Sequence, residues 1–124
     1  MAGTIVADTL QDGAGNSTAM DNAIYGSAKA WATFGPTGAV NASYNVSSVT
    51  RNGTGDYTVN FTNAFTDKYY TVAGTASNNA VANANCYFWN YGSATQLTTS
   101  CRMIITQGGS GNVDCAIGGL AFFR

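Results

Sequence analysis

The chain has 124 residues, only 9% of them charged, and a formal net charge of −1. This length suits one domain with one hydrophobic core. Basic side chains are few and scattered, and no apolar run approaches the roughly 20 residues that span a bilayer, so we expect neither nucleic-acid binding nor membrane insertion.

The first 27 residues predict an arm rather than part of a packed body. Ile5, Val6 and Leu10 are its large apolar residues before a glycine-rich turn at 12–16, and we expect a short extended segment around them. Such a segment buries too little to offset the entropy lost on ordering. It therefore needs a surface to pack on: its own domain, a neighbouring subunit or a larger particle.

One short helical turn is predicted at the end of this arm. Met20 and Ile24 are spaced for one face of a helix, and Gly26 ends the pattern. Ser17 or Thr18 is a suitable residue to cap the first turn.

The stretch 42–65 is a predicted β-hairpin. Tyr44 and Val46 alternate with polar residues, and the segment 51–55 carries the Asn-Gly turn chemistry that supplies positive φ angles. After the turn, apolar side chains alternate strictly with polar ones at Tyr57, Val59 and Phe61. Each strand therefore offers one face to a core and the other to water.

Strand and turn signals continue to the end of the chain. Further strands are predicted at 28–34, 69–77, 86–91, 96–106 and 113–123. Strands at this spacing, with no helix of three turns, indicate an all-β fold: an antiparallel β-sandwich of about seven strands with a short extended N-terminal arm. We divide the chain into the arm, residues 1–27, and the β-sandwich domain, residues 28–124.

Cysteine usage gives no sign of a metal or redox site. Cys86, Cys101 and Cys115 have no CxxC spacing, and the chain has no histidine. We expect buried, reduced thiols. The alternative is a cross-strand disulfide between Cys101 and Cys115, which flank a predicted hairpin near Gly108–Gly111.

The residues for catalysis are scarce. Histidine and glutamate, the commonest general acid–base groups, are both absent. Asp56 and Asp67 lie beside predicted turns, where aspartate typically accepts hydrogen bonds from nearby backbone amides. The segment Asp8–Asp12 lacks the alternating oxygen ligands of a calcium loop. We expect no enzymatic activity, no cofactor and no metal.

The sequence provides little protection for the edges of a sheet. Exposed edge strands recruit other chains unless lysine, proline or inward charges guard them. The chain has two lysines and one proline. We therefore expect a homo-oligomer in which neighbouring subunits cover the edges.

Three segments resemble, in the same order, a small β module of bacteriophage tail-fibre and related virion proteins. They are the segment 3–13, the segment 26–31, and the run NVSSV…RNGTGDYTVNF…TNAF within residues 45–65. The resemblance covers about residues 3–75 and is structural rather than catalytic. It implies a location in the virion and, for the homo-oligomer, a trimer.

The resemblance implies a short tail-fibre or fibre-tip protein that contributes to host-surface attachment. The arm, through Ile5, Val6 and Leu10, would bind other virion proteins. The first 30 residues lack a basic start followed by an apolar block, so we expect no signal peptide and synthesis in the host cytoplasm. A capsid decoration or head-fibre protein is the first alternative, and a stand-alone carbohydrate-binding module is the second.

The composition of 78–91 fits recognition of a host surface glycan. Carbohydrate sites combine exposed aromatic rings with amide side chains that bond hydroxyl groups. The candidate receptor-binding residues are Asn83, Asn85, Tyr87, Trp89, Asn90 and Tyr91. The competing interpretation is that these aromatic residues belong to the core or to a subunit interface, since an alternating strand cannot expose both Phe88 and Trp89.

Overall fold

Apolar residues alternate along the strands of the body, and a computed structural model places them between two antiparallel layers. The structure describes residues 3–77, 86–92, 94–108 and 111–124. The predicted all-β sandwich is confirmed. The elements of the arm are β1 (Thr9–Gln11), β2 (Ser17–Ala19) and α1 (Met20–Gly26). The strands of the body are β3 (Ala30–Phe34), β4 (Val40–Tyr44), β5 (Val46–Gly53), β6 (Asp56–Phe61), β7 (Thr71–Ser77), β8 (Cys86–Asn90), β9 (Ser100–Gln107), β10 (Gly111–Asn112) and β11 (Ile117–Phe123).

The strands of the body are hydrogen-bonded in the order β4-β3-β11-β7-β8-β9-β6-β5, with β10 beside β9. Among the described residues, the pair Ala76 with Cys86 joins β7 to β8. One layer consists of β4, β3, β11 and β7 and the other of β8, β9, β6 and β5, and side chains of β3 and β11 contact side chains of β6 across the core. The two end strands, β4 and β5, are consecutive in the chain.

Aromatic rings hold the two layers together. The Phe34 ring on β3 lies 5.1 Å from that of Tyr57 on β6, and Phe122 on β11 lies 4.9 Å from Phe61 on β6. The Phe61–Phe122 pair is edge-to-face and the Phe34–Tyr57 pair is tilted, and such aromatic contacts add to the free energy gained by burying apolar area. The fully buried side chains also include Ile105, Val59, Cys101 and Cys115.

The predicted strand through Tyr44 and Val46 is interrupted at Asn45. Asn45 has a φ of 54°, the left-handed conformation that asparagine tolerates better than most residues. Its Nδ2 donates to the carbonyl oxygens of Lys29 (3.1 Å) and Asn63 (3.2 Å), and its Oδ1 accepts from the Asn63 N–H (2.8 Å). The chain therefore passes from one layer to the other here, and the body has more strands than the seven expected.

The disulfide between Cys101 and Cys115, the alternative interpretation, is not formed, and both side chains are buried thiols as expected. Cys101 lies on β9, but β10 pairs with β9 only as far as Asn112. The chain then leaves β9, and β11 pairs with β3 and β7 in the other layer. Cys115 therefore never lies opposite Cys101.

The arm has more regular structure than the predicted extended segment. β1 and β2 form a hairpin whose turn is held by Asp12, and its Oδ1 accepts from the N–H groups of Ala14 and Asn16, both at 2.9 Å. The predicted helical turn is confirmed and ends at Gly26. The predicted cap is wrong, because the N-cap position is Ala19 and no side chain caps the helix. Within the described residues, no helix is long and apolar enough to cross a membrane.

Candidate functional site

The structure describes part of the predicted receptor-binding segment. Asn83 and Asn85 lie outside the described residues, and Tyr87 and Trp89 lie on β8, where the backbone is described. Asn90 and Tyr91, at the end of β8, are exposed. The Tyr91 N–H donates to the carbonyl oxygen of Arg102 on β9 at 3.2 Å, which extends the pairing of the two strands.

The ring of Tyr91 packs against the guanidinium group of Arg102. The Arg102 guanidinium carbon lies 3.9 Å from the centre of the Tyr91 ring. The same guanidinium bonds both carboxylate oxygens of Asp56, Nε to Oδ1 at 2.9 Å and Nη2 to Oδ2 at 2.5 Å. These bonds hold the pKa of Asp56 below its ordinary value. The guanidinium is thus held by Asp56 against the ring of Tyr91, which is still 52% exposed.

An amide network connects Asn90 to the segment before β7. Asn90 Nδ2 donates to Gln96 Oε1 at 2.5 Å. Gln96 Nε2 donates to the carbonyl oxygens of Lys68 (2.7 Å) and Tyr70 (2.9 Å). Gln96 therefore fixes the loop after β8 against the backbone around Tyr69.

A cavity of about 460 Å³ lies at this junction. It is lined by Lys68, Tyr69, Tyr70 and Gln96. Tyr70 is buried, and its hydroxyl lies 2.9 Å from the carbonyl oxygen of Leu97. Tyr69 is 77% exposed. The cavity thus has a fixed floor and one exposed aromatic wall.

A turn at Asp67 holds Tyr69 in place. Asp67 Oδ1 accepts from the Tyr69 N–H at 2.8 Å, as expected for an aspartate beside a turn. Arg124 bonds the same carboxylate and keeps its pKa below the ordinary value. The expectation for Asp56 is corrected, because the partners described for its carboxylate are the side chains of Arg102 and Asn52 rather than backbone amides.

The three predicted attachment residues of the arm are all exposed. Ile5 and Val6 are 87% and 94% exposed and lie in a stretch without secondary structure, and Leu10 on β1 is 52% exposed. No residue before Ala30 contributes to the described core. The arm thus presents apolar side chains to its surroundings.

The edge strand β4 is exposed along its whole length. All five of its residues are exposed, and β3 is its one hydrogen-bonded neighbour in the described sheet. The sequence of β4, VNASY, contains neither charge nor proline. This edge therefore has neither a charge nor a proline to prevent its pairing with another chain.

The described residues contain no cluster of three aspartate or cysteine side chains placed to hold a metal ion. Asp56 instead bonds Arg102, and Asp12 bonds the turn that contains Asn16. Both carboxylates have structural roles in the described part of the chain.

The predicted receptor-binding set contains Asn90 and Tyr91 but not Lys68, Tyr69 and Gln96, which line the cavity. Lys68 and Tyr69 lie more than 20 positions before Tyr91, and Gln96 lies in the loop after β8. The hydrogen bond from Gln96 to Lys68 and the pairing of β8 with β9 bring these segments together. The usable signal was the pair of adjacent tyrosines at 69 and 70, one of which must face outward in an alternating strand.

No protein-family model, curated protein or solved structure matches the chain.

Proposed function

We propose that this protein is a structural subunit of a bacteriophage virion, a trimeric short tail fibre or fibre tip without enzymatic activity. In this proposal the arm binds other virion proteins, and the β-sandwich domain faces the host surface. The sequence resemblance over residues 3–75 supports the virion location, and the structure supports the assembly.

The observation that carries the proposal is the uncharged, fully exposed edge strand β4. An edge of this kind on a free monomer is a site of uncontrolled pairing, whereas a closed oligomer covers it. The exposed Ile5 and Val6 of the arm add a second surface that calls for a partner.

Sedimentation velocity at micromolar concentration tests the assembly. We expect a species of three chains. A protein that sediments only as a folded monomer would contradict the proposal, because the β4 edge would then be stable in water without a partner.

Imaging of antibody-labelled particles tests the location. A few trimers at one vertex are expected for a tail fibre. Dozens to hundreds of copies over the shell would instead favour the capsid decoration protein. Unlabelled particles would exclude both virion functions, and the remaining candidate would be a carbohydrate-binding module, which the exposed Tyr69 and Tyr91 favour.

A further inference from the structure

We infer that the cavity lined by Lys68, Tyr69, Tyr70 and Gln96 binds one acidic sugar residue of a surface glycan, whose carboxylate is held by Lys68. This inference rests on the proposed host-attachment function, because such a subunit meets glycans at the host surface. It differs from the predicted glycan site, since Lys68, Tyr69 and Gln96 were not among the predicted residues.

The size and lining of the cavity fit a small ligand. Its volume of about 460 Å³ lies within the range of roughly 300–1,000 Å³ typical of small-molecule sites. The exposed Tyr69 ring supplies an apolar face for the C–H groups of a sugar, and its hydroxyl can donate or accept a hydrogen bond.

Hydrogen bonds within the protein hold the backbone of the site in place. Asp67 and Gln96 fix the backbone on either side of Tyr69. A preorganised site loses less conformational entropy on binding than a mobile one.

The side chains that build the site are not free to bind hydroxyl groups. Gln96 donates to two carbonyl oxygens and accepts from Asn90, and Asn90 Oδ1 accepts from the Gly92 N–H at 3.1 Å. Gln96 and Asn90 are therefore positioning residues. The groups of the cavity left for a ligand are the hydroxyl of Tyr69 and the ammonium of Lys68.

The charge of Lys68 selects the ligand class. Each of the three arginines is paired with an aspartate, and the Lys29 ammonium contacts Ile24 O and Ser27 Oγ. Within the described residues, the Lys68 ammonium is the basic group that makes no hydrogen bond or ion pair. An exposed cation beside an aromatic wall matches a sugar ring that carries one carboxylate.

Binding of oligogalacturonate to the full-length protein, measured by calorimetry in low salt, tests the inference. We expect saturable binding that weakens as the salt concentration rises, and no binding of the carboxyl-reduced oligosaccharide. Lys68→Gln should weaken binding about 10-fold to 100-fold, the range for loss of a charge-assisted hydrogen bond. Lys29→Gln, which removes the same charge outside the residues that line the cavity, is the matched control and should bind like the wild type.

Two further variants separate the site from general electrostatics. Tyr69→Leu should weaken binding of oligogalacturonate while leaving the Lys68 charge in place. Each of three results would overturn the inference. They are equal binding by the Lys68→Gln and Lys29→Gln variants, equal binding of the carboxyl-reduced oligosaccharide, and no binding by the wild type. Sedimentation of the same samples keeps the two proposals apart, since a trimer that binds no oligogalacturonate refutes this site and leaves the assembly function standing.

Discussion

Asp114 joins the turn after β5 to the segment that leads into β11. Its Oδ1 accepts from Arg51 Nε (3.0 Å), the Gly55 N–H (2.9 Å) and the Tyr57 hydroxyl (2.9 Å), and its Oδ2 accepts from Arg51 Nη2 (2.7 Å). The bonds from Arg51 are the main cause of a pKa of about 2 for Asp114, and partial burial opposes them. The Tyr57 pKa is raised, first by burial and then by its bond to the Asp114 carboxylate.

The depressed pKa of Asp114 makes stability depend on pH in the acid range. The carboxylate binds a proton less readily in the folded chain than in the unfolded chain, where its pKa is near 4. Its stabilising contribution is therefore complete above about pH 4 and is lost as the pH falls through about 2. Asp56 and Asp67, whose pKa values are also lowered, act in the same direction.

Asp114→Asn should lower the free energy of unfolding at pH 7 by about 1–2 kcal/mol, a figure reduced for the partial exposure of the pair. The amide keeps one acceptor but places an NH₂ group toward Arg51. The difference from wild type should shrink between about pH 4 and pH 2, because the wild-type carboxylate is neutralised there. Urea unfolding at several pH values measures this, with the exposed Asp8→Asn as control. A difference that is constant with pH would contradict the assignment.

At the scale of elements, two adjacent glycines of β11 face opposite sides of their layer. Gly118 faces the core, where an added Cβ would lie 2.7 Å from Cζ of Phe34 and 3.1 Å from Sγ of Cys115. Gly119 faces outward, and an added Cβ would lie no closer than 3.7 Å to any neighbour. The Phe34 ring on the neighbouring strand β3 occupies the space over Gly118, because this position has no side chain.

Gly118→Ala should destabilise the protein by about 1–3 kcal/mol through overpacking of the core. Gly119→Ala should change the stability by less than about 1 kcal/mol, because the methyl group has room and the unfolded chain loses some entropy. Chemical unfolding of both variants at equal protein concentration measures the difference. Equal stabilities would show that the Phe34 ring yields without cost.

Local alternation predicted some elements well and others poorly. Tyr57, Val59 and Phe61 on β6 are buried as their strict alternation predicts. Asn45 could not be recognised, because its left-handed conformation depends on bonds to Lys29 and Asn63, which are distant in sequence. The partner of β11 was also unpredictable, since the short β10 makes a hairpin with β9 before the chain changes layers.

The candidate site shows the same division between local and long-range information. The exposure of Tyr91 is a local consequence of its position at the end of β8. Its pairing with Arg102 depends on the register of β8 with β9, and the link from Asn90 to Lys68 depends on Gln96. Strand registers of this kind are set by the folded core, so a sequence pattern alone does not reveal them.

At the scale of the whole molecule, the sheet ends at two consecutive strands. β4 and β5 are the two ends of the described strand order, and Asn45 joins them. Arg51 on β5 is paired with Asp114, whereas β4 carries no charge at all. We therefore expect β4 rather than β5 to form the subunit contact.

Ala42→Lys tests this contact. A lysine on the exposed edge should shift the sedimenting species from trimer toward monomer, because pairing would bury its charge. Circular dichroism should show an unchanged fold, since Ala42 is exposed. Thr37→Lys, an exposed turn residue, adds the same charge away from the strand and should leave the trimer intact. Association of the Ala42→Lys variant equal to wild type would exclude β4 as the contact.

The position of β11 has a consequence for biosynthesis. β11 lies between β3 and β7 in space but follows both in the chain. A nascent chain emerging from the ribosome therefore holds β3 and β7 with no strand between them until residues 117–123 are released. Closure of this layer is therefore a late event. Until β11 is released, the nascent chain must be kept soluble by its uncharged polar residues, serine, threonine and asparagine, or by chaperones.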